Sequence, residues 1–426
     1  MIYRMRSLII VILDSIRKCK LRKYEFEIES YINNYQQINK TNAEKAKRSF
    51  SEEWLRLCPY LGRANRFNED GASKLGQALI KYSAAIEQLP CKESEVIHLK
   101  ELIDTYDRDK DCRYKISIKE ALYFNLGLCW HKLGTRYEDD ALLAFKKSLF
   151  FLLEQSNHKS YAGLSAYGFR KCNEFLYKSL INEQLNISSP SEFNDPFDCP
   201  ILVLLNMYDD EINKLILKAY NDSLKIACFS RKIKLLPEIS EQGEPKTNED
   251  GNPIYLNKQG CDKDEYLNEL MWAHYADFHK GVCIKYHFNA KMTKMITSSN
   301  RIISYFKDVK YSENDMSKYS NKDSISVEDS FFLKSKNWEY ENELRYLYFD
   351  IDGTGKHKQI DIPNCIEAVY FGVKCAQSDK DTIRKILKDQ KLITYDLQEN
   401  MIEKGIEFYQ MEMDMNQFGQ LKAVKL

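Results

Sequence analysis

Residues 334–348 read KSKNWEYENELRYLY and contain the pattern on which the fold of the second half of the chain depends. The run Leu344–Phe349 is rich in aromatic and aliphatic residues, which favours a β-strand. If the strand begins before this run, Glu341, Glu343 and Arg345 share one face, because successive side chains of a strand alternate. Two carboxylates and an arginine on one face indicate either a structural ion network or a functional site.

Other runs of the same kind follow residue 160, and helical patterns lie between them. The predicted strands are Leu344–Phe349 and the runs Leu185–Ile187, Ile226–Phe229, Val282–Phe288, Ala368–Phe371 and Leu392–Tyr395. Helices are predicted at 206–224 and 378–390. This pattern predicts a mixed α+β domain over residues 161–426. Within it, the polar stretch 231–265 contains several Gly and Pro residues and is interpreted as a mobile insertion.

Residues 1–160 show apolar residues at helical spacing and few prolines, which predicts an all-helical domain. Two of its stretches resemble the tetratricopeptide repeat, a helix–turn–helix unit with small residues where its helices touch. The positions that carry this resemblance are Ala78, Tyr82, Ala85 and Pro90 in the first stretch and Leu126, Gly127, Trp130, Ala141 and Phe145 in the second. An ordinary helical bundle remains the alternative. The fold class is therefore α+β, with an N-terminal helical part that binds a protein partner or a second copy of the chain.

Composition limits the classes of function. The 426 residues contain 63 Lys and Arg and 63 Asp and Glu, so the net charge gives no general attraction to nucleic acid or to anionic lipid. Nucleic acid remains possible as a substrate that accepts a transferred group, although the net charge does not indicate it. The 12 cysteines form no CxxC pair, which is typical of a reducing, cytoplasmic location. The apolar run SLIIVIL near the N-terminus is too short to cross a bilayer, and no membrane association is predicted.

Five phrases in the second half occur in a fixed order. They are YGFR (167–170), SSPSEFNDPFDC (188–199), CFS (228–230), LMWAHYADFHKGVCIKY (270–286) and KSKNWEYENELRYLY. Together they resemble a widespread bacterial domain family of unknown function. The resemblance covers about residues 161–412 and brings no established chemistry.

The order of an arginine, a strand that ends in serine and a Glu-x-Glu pair is also similar to the ADP-ribosyltransferases. This resemblance implies that Arg170 contacts the diphosphate of NAD and that Ser230 (or Ser188 or Ser189) supports the nicotinamide ribose. It further implies that Glu343 binds a ribose hydroxyl and stabilises an oxocarbenium-like transition state. Glu341 would then orient the acceptor, and Arg345 would contribute to the cofactor site.

Further candidates come from the other motifs. Tyr275, like Trp272, offers a face on which nicotinamide or adenine can stack. His274 is a candidate hydrogen-bond donor or general base, whereas a half-buried structural histidine is the alternative. In FNDPFD, Asp195 is the residue expected to reach a ligand, and the rest is expected to hold the wall of a pocket.

No metal is expected. His274 and His279 are five residues apart and do not share a helix face, so a zinc site is not indicated there. His279-Lys280-Gly281 is interpreted as a basic helix end with a glycine cap. Cys199, Cys228 and Cys283 show no feature of a reactive thiolate.

Three functions follow from these patterns. The favoured one is an NAD-dependent ADP-ribosyltransferase-like effector, of the kind found in bacterial toxins and phage defence. The second is a non-catalytic repeat protein that binds a partner or senses a nucleotide. The third is a metal-dependent nuclease that uses Asp195, Asp198, Glu341 and Glu343.

Overall fold

The structure is a computed structural model. It describes residues 90–108, 116–155, 163–195, 198–199, 210–231, 265–289, 294–296, 301–312, 327–395, 401–415 and 420–426, together with single positions between 76 and 87. The helices among them are α1 (Glu93–Arg108), α2 (Ile116–Lys132), α3 (Glu138–Gln155), α4 (Glu174–Ile181), α5 (Asp210–Ser223), α6 (Glu269–Tyr275), α7 (Val327–Ser330) and α8 (Gln377–Leu387). The predicted insertion 231–265 lies outside the described residues, apart from Arg231 and Glu265 at its ends.

The chain divides into two compact units. The first consists of residues 1–156 and 206–223, and its described part is helical: α1, α2, α3 and α5. Helices α2 and α3 pack closely because Gly127 has no side chain; a Cβ atom there would lie 2.7 Å from Cε1 of Phe145. Ala141 is fully buried at the start of α3. Ala78 and Ala85, which belong to the first predicted repeat, lie outside the described residues.

The second unit, residues 157–205 and 224–426, contains the strands. They are β1 (Gly163–Arg170), β2 (Gln184–Ser188), β3 (Leu224–Ser230), β4 (Val282–Asn289), β5 (Lys294–Ile296), β6 (Ile302–Asp308), β7 (Lys310–Ser312), β8 (Leu333–Ser335), β9 (Glu343–Asp350), β10 (His357–Asp361), β11 (Ile366–Phe371), β12 (Lys391–Tyr395), β13 (Met401–Gly405), β14 (Glu407–Met413) and β15 (Leu421–Lys425).

Eleven strands form one sheet, with the order β15-β14-β11-β4-β1-β3-β9-β6-β5 and with β2 and β10 as a branch beside β3. All neighbours are antiparallel except β11 and β14. Helices together with this large mixed sheet confirm the α+β class. The six predicted strands all occur, as β2, β3, β4, β9, β11 and β12, and the two predicted helices occur as α5 and α8.

Hydrophobic side chains cover both faces of the sheet. Alternate residues of β1 point to opposite faces of the sheet. Leu164 and Ala166 belong to one hydrophobic cluster, and Tyr167 and Phe169 belong to the other. Leucines and an isoleucine of α4 and α8 complete the first cluster, whereas Met271 and Trp272 of α6 complete the second. The sheet around β1 is therefore a middle layer between helices, as expected for a buried central strand.

The chain after α6 differs from the sequence interpretation. The helix ends at Tyr275, and Asp277, Phe278 and His279 then have left-handed φ angles of 48°, 53° and 68°. The interpretation of His279-Lys280-Gly281 as a helix end with a glycine cap was therefore wrong. Gly281 is instead required by close packing, because a Cβ there would collide with the carbonyl oxygen of Arg170. Three consecutive non-glycine residues in this region of φ and ψ carry conformational strain.

No helix among the described residues combines the length and the apolar character needed to cross a membrane. The cysteines in the described part of the chain are all free thiols.

Candidate functional site

A cavity of about 540 Å³ opens where the central strands of the second unit end. Its floor follows from the strand register, because Tyr167 of β1 is opposite Ser230 of β3, and Ser230 is opposite Glu343 of β9. Side chains from residues 192–195 and 198, from α6 and from the turn before β9 form the walls. The lining residues that matter below are Arg170, Asp195, Asp198, Ser230, His274, Tyr275, Lys334, Trp338, Glu341 and Glu343.

The turn before β9 places two of these carboxylates. Residues Lys336–Glu341 form a 3-10 turn, which Asn342 ends with left-handed angles (φ 42°, ψ 52°), and β9 starts only at Glu343. The prediction that one strand carries Glu341, Glu343 and Arg345 on a single face was therefore wrong for Glu341. The turn nevertheless brings Glu341 beside Glu343, because both carboxylates bind the same lysine.

That lysine is Lys334, which precedes the turn on β8. Its ammonium lies 2.7 Å from Oε2 of Glu341, 3.1 Å from Oε2 of Glu343 and 3.4 Å from Oδ2 of Asp198. All four side chains are at least nine-tenths buried. The ammonium therefore occupies the centre of a three-carboxylate cluster.

Arg345 completes this cluster from below the cavity floor. It is fully buried, and it donates from Nε to Oε1 of Glu343 at 2.7 Å and from Nη2 to Oδ1 of Asp198 at 2.6 Å. Its Nη1 donates to the carbonyl oxygen of Phe331 at 2.6 Å. The guanidinium thus has protein partners on every nitrogen, and it supports the site from behind rather than lining it.

Burial and the neighbouring charges shift the pKa values of the two glutamates in opposite directions. Burial alone would raise the pKa of Glu343, but the guanidinium of Arg345 and the ammonium of Lys334 outweigh burial and lower that pKa to about 2. Burial raises the pKa of Glu341, although Lys334 and the hydroxyl of Tyr275 oppose the shift. Burial would lower the pKa of Lys334, but the three carboxylates raise it. Near neutral pH, Glu343 is an ionised group and Glu341 is the more easily protonated of the two.

Helix α6 holds Tyr275 and His274 over the glutamates. Asn268 caps the helix, and its side-chain nitrogen donates to the carbonyl oxygen of Tyr340 at 2.7 Å, which joins α6 to the 3-10 turn. The hydroxyl of Tyr275 donates to Oε1 of Glu341 at 2.5 Å. The ring of His274 lies 6.3 Å from that of Trp338.

Trp338 connects this aromatic group to Asp195. Its indole nitrogen donates to Oδ2 of Asp195 at 2.9 Å, and the ammonium of Lys334 lies 5.2 Å from the centre of its ring. Phe193, Asn194, Asp195 and Asp198 of the FNDPFD segment therefore line one wall of the cavity, and Phe193 packs on the guanidinium of Arg345 at 5.4 Å. Phe197 lies outside the described residues.

Two lining residues retain unused hydrogen-bonding capacity. Arg170 donates from Nη1 to the carbonyl oxygen of Phe169 at 2.9 Å, and it forms no ion pair with any described residue. The hydroxyl of Ser230 is buried and has no hydrogen-bond partner among the described residues. Both side chains line the cavity, so both are available to a bound molecule.

The structure brings most of the predicted site residues together. Seven line the cavity: Arg170, Asp195, Ser230, His274, Tyr275, Glu341 and Glu343. Arg345 lies behind it. Sequence reasoning missed Lys334 and Trp338 as members of the site, although both stand in the opening stretch, and it considered Asp198 only as a metal ligand. Burial raises the pKa of the Cys199 thiol to about 12 and also raises the pKa of the Cys228 thiol, which agrees with their exclusion as nucleophiles.

The site overlaps the part of the chain that is similar to a known family. Residues 271–346 match the model of DUF2971, described as a protein of unknown function. The matched segment runs from Met271 of α6 to Tyr346 of β9 and so includes His274, Tyr275, Lys334 and both glutamates. The resemblance to a domain family of unknown function is confirmed over these residues. No curated protein and no solved structure matches the chain.

Proposed function

We propose that the cavity of the second unit binds NAD and that the protein acts as an ADP-ribosyltransferase-like enzyme. The observation that carries the proposal is Arg170, a cation that lines the cavity and has no anionic partner among the described residues. Arginine without a carboxylate partner, beside aromatic rings and carboxylates, suits a ligand that combines phosphate, a planar base and a sugar.

Arg170 is the proposed diphosphate contact. One guanidinium N–H is used by the carbonyl oxygen of Phe169, and the remaining N–H groups can form the paired hydrogen bonds that phosphate oxygens accept. The hydroxyl of Ser230, which has no hydrogen-bond partner among the described residues, is the proposed contact for a ribose hydroxyl. The rings of Tyr275, His274 and Trp338 supply the faces for a base.

The glutamates would act by their charge. Loss of nicotinamide from NAD leaves positive charge on the ribose, and a fixed carboxylate beside that charge stabilises the transition state. Glu343 keeps its charge at neutral pH because Arg345 and Lys334 lower its pKa. Glu341, whose pKa is raised, is the group suited to accept a proton from the attacking acceptor.

The test separates binding from turnover. Purified protein is titrated with NAD while melting temperature and nicotinamide release are followed, for the wild type and for Arg170→Gln, Glu341→Gln and Lys171→Ala. Arg170→Gln is expected to abolish NAD stabilisation, and Glu341→Gln is expected to retain it while losing turnover. Lys171 is exposed, stands next to Arg170 and serves as the matched control, which should behave as wild type. Absence of both stabilisation and nicotinamide release in the wild type would contradict the proposal.

A non-catalytic nucleotide sensor is the second candidate. It is favoured by the mutual pairing of Glu343 and Arg345, because a carboxylate with two cationic partners resembles a structural ion pair. NAD stabilisation without nicotinamide release would select this function. The metal-dependent nuclease has the least support, since the Lys334 ammonium stands among the carboxylates that a metal would need.

The remaining expectations concern the first unit and the setting of the protein. The close α2–α3 pair supports a tetratricopeptide-like unit that binds a protein partner or a second copy of the chain. A cytoplasmic effector of a toxin or phage-defence system is proposed by analogy with two-part proteins of this kind.

A further inference from the structure

A cluster of two thiols and a carboxylate lies in the second unit outside the residues that line the cavity. Cys172 follows β1, Cys375 follows β11, and Asp379 is in the first turn of α8. One ligand atom from each of these three residues lies within 4.8 Å of the other two.

The carboxylate of this cluster is held in place by a neighbour. The hydroxyl of Tyr177, on α4, donates to Oδ1 of Asp379 at 2.9 Å. A hydrogen bond of this kind orients a ligating carboxylate and leaves its second oxygen for the metal, as is usual around protein metal sites. Cys375 is buried and Cys172 is half-buried, so the cluster has one side that solvent can reach.

We propose that Cys172, Cys375 and Asp379 form a site for a thiophilic divalent cation, for which Zn²⁺ is the best match. Two thiolates and a carboxylate are ligands that zinc accepts, and a water molecule supplies the fourth position. In a tetrahedral site with ordinary zinc bond lengths the ligand atoms are about 3.6–3.8 Å apart. Because the three atoms lie within 4.8 Å of one another, side-chain movements of about 1 Å or less bring them to that spacing. Binding releases the two thiol protons to solvent.

The position of the site gives it a consequence for the cavity. Cys172 lies two residues after Arg170 and directly before Asn173, the residue that caps α4. A bound cation would join the connection between β1 and α4 to the connection between β11 and α8. It would therefore restrict the backbone that carries Arg170. The sequence expectation that no metal is present did not consider this cluster, because Cys172 is far in the chain from Cys375 and Asp379.

A second thiol pair provides an internal control. Cys91 and Cys129, in the first unit, are also close enough to interact, but no carboxylate joins them in a three-ligand cluster among the described residues. For the carboxylate, the comparison is Asp381, which lies on α8 two residues after Asp379. Asp381 accepts a hydrogen bond from Gln377 and does not belong to the cluster. Cys91→Ser and Asp381→Asn are therefore matched controls for the two ligand types.

The test uses the full chain, purified with a non-chelating reductant, loaded with Zn²⁺ and desalted. Metal content per chain is measured for the wild type, Cys172→Ser, Asp379→Asn and the two controls, and circular dichroism confirms that each is folded. We expect Cys172→Ser and Asp379→Asn to hold one equivalent of zinc less than the wild type, and the controls to lose none. Replacement of Zn²⁺ by Co²⁺ should give thiolate-to-cobalt absorption that disappears in Cys172→Ser.

Two results would overturn the proposal. One is equal zinc content in the wild type, Cys172→Ser and Asp379→Asn, which would place any bound zinc on other cysteines. The other is a Cys172–Cys375 disulfide in protein isolated without reductant, together with no zinc uptake by the reduced chain. The pair would then be a thiol–disulfide couple rather than a metal site.

Discussion

Glu343 and Arg345, two residues apart on β9, form a two-point ion pair inside the protein. Nε and Nη2 of the arginine lie 2.7 Å and 3.1 Å from the two carboxylate oxygens, and both side chains are almost completely buried. Removing one member of such a pair leaves the other charge buried without its partner, which is far more costly than losing a surface pair. The pair therefore links the stability of the second unit to the geometry of the cavity floor.

Glu343→Gln is expected to lower the free energy of unfolding by about 3–5 kcal/mol, because the Arg345 guanidinium loses a buried counter-charge. The measurement is urea denaturation followed by circular dichroism. Glu412→Gln is the control, since Glu412 and Lys422 form an exposed pair that should contribute at most about 1 kcal/mol. Equal urea midpoints for the two variants would contradict the structural role of Glu343.

The same pair predicts how stability depends on pH. Folding lowers the pKa of Glu343 from 4.5 to about 2, so the folded state binds this proton less readily than the unfolded state. Its stabilisation is therefore complete above about pH 4.5 and is lost as the pH falls towards 2.

The Glu343→Gln variant has no carboxylate at position 343 and therefore lacks this source of pH dependence. The stability difference between wild type and variant should be largest above pH 5 and should shrink steadily towards pH 2, as measured by urea denaturation at each pH. Glu341, whose pKa shifts in the opposite direction, is present in both proteins, so its contribution to the pH dependence largely cancels in the difference. A difference that stays constant with pH would show that the carboxylate charge is not what stabilises the unit.

Tyr275→Phe removes the hydroxyl that donates to Glu341. Because this hydrogen bond favours the ionised carboxylate, its loss is expected to raise the pKa of Glu341 above its already raised value. The titration can be followed by the carboxyl carbon signal in protein labelled with ¹³C-glutamate. Tyr409→Phe is the control, because Tyr409 donates to Glu407 at 2.7 Å and should affect only that residue. A Glu341 titration identical to that of the wild type would contradict the assignment.

Gly127→Ala tests the helix contact in the first unit. Alanine favours a helix over glycine by about 1 kcal/mol, but the added Cβ would lie 2.7 Å from the ring of Phe145. We expect a net loss of about 1–3 kcal/mol from overpacking. The double variant Gly127→Ala/Phe145→Leu should recover part of that loss, and a thermodynamic cycle measures the coupling. Additive effects would mean that the two residues do not contact each other.

The sequence predicts strands where aromatic and β-branched residues are concentrated. The buried strands β3, β4, β9 and β11 were predicted because aromatic and aliphatic residues are concentrated in them. Nine of the described strands were missed: β1, β5, β6, β7, β8, β10, β13, β14 and β15. The residues of β10, β13 and β15 are largely exposed, so pairing with a neighbour, rather than composition, makes them strands.

Sequence analysis predicted most residues of the site but not how they are arranged. Glu341 was assigned to a strand because nothing in the local pattern shows that Asn342 takes a left-handed conformation and ends a turn. Lys334 was missed for a different reason. The partners of a lysine depend on how the chain folds in three dimensions. Here the folded chain brings Lys334 beside three carboxylates from two separate segments. Arg170 was found because a motif drew attention to it, whereas only the three-dimensional structure shows that it has no anionic partner among the described residues.

The strand order has a consequence for the time at which the cavity forms. Strands β1, β3 and β9 are neighbours in the sheet but are far apart in the chain, so a ribosome has to synthesise residue 350 before the third of them is complete. Until then Asp198 and the end of β3 lack the arginine that they contact in the finished protein. Pairing over such sequence separations is slow, and unpaired strand edges expose the growing chain to aggregation. The nascent chain therefore passes through a long stage in which Asp198 exists without Lys334 and Arg345, the two cations that it contacts in the finished protein, and chaperones would encounter it in that state.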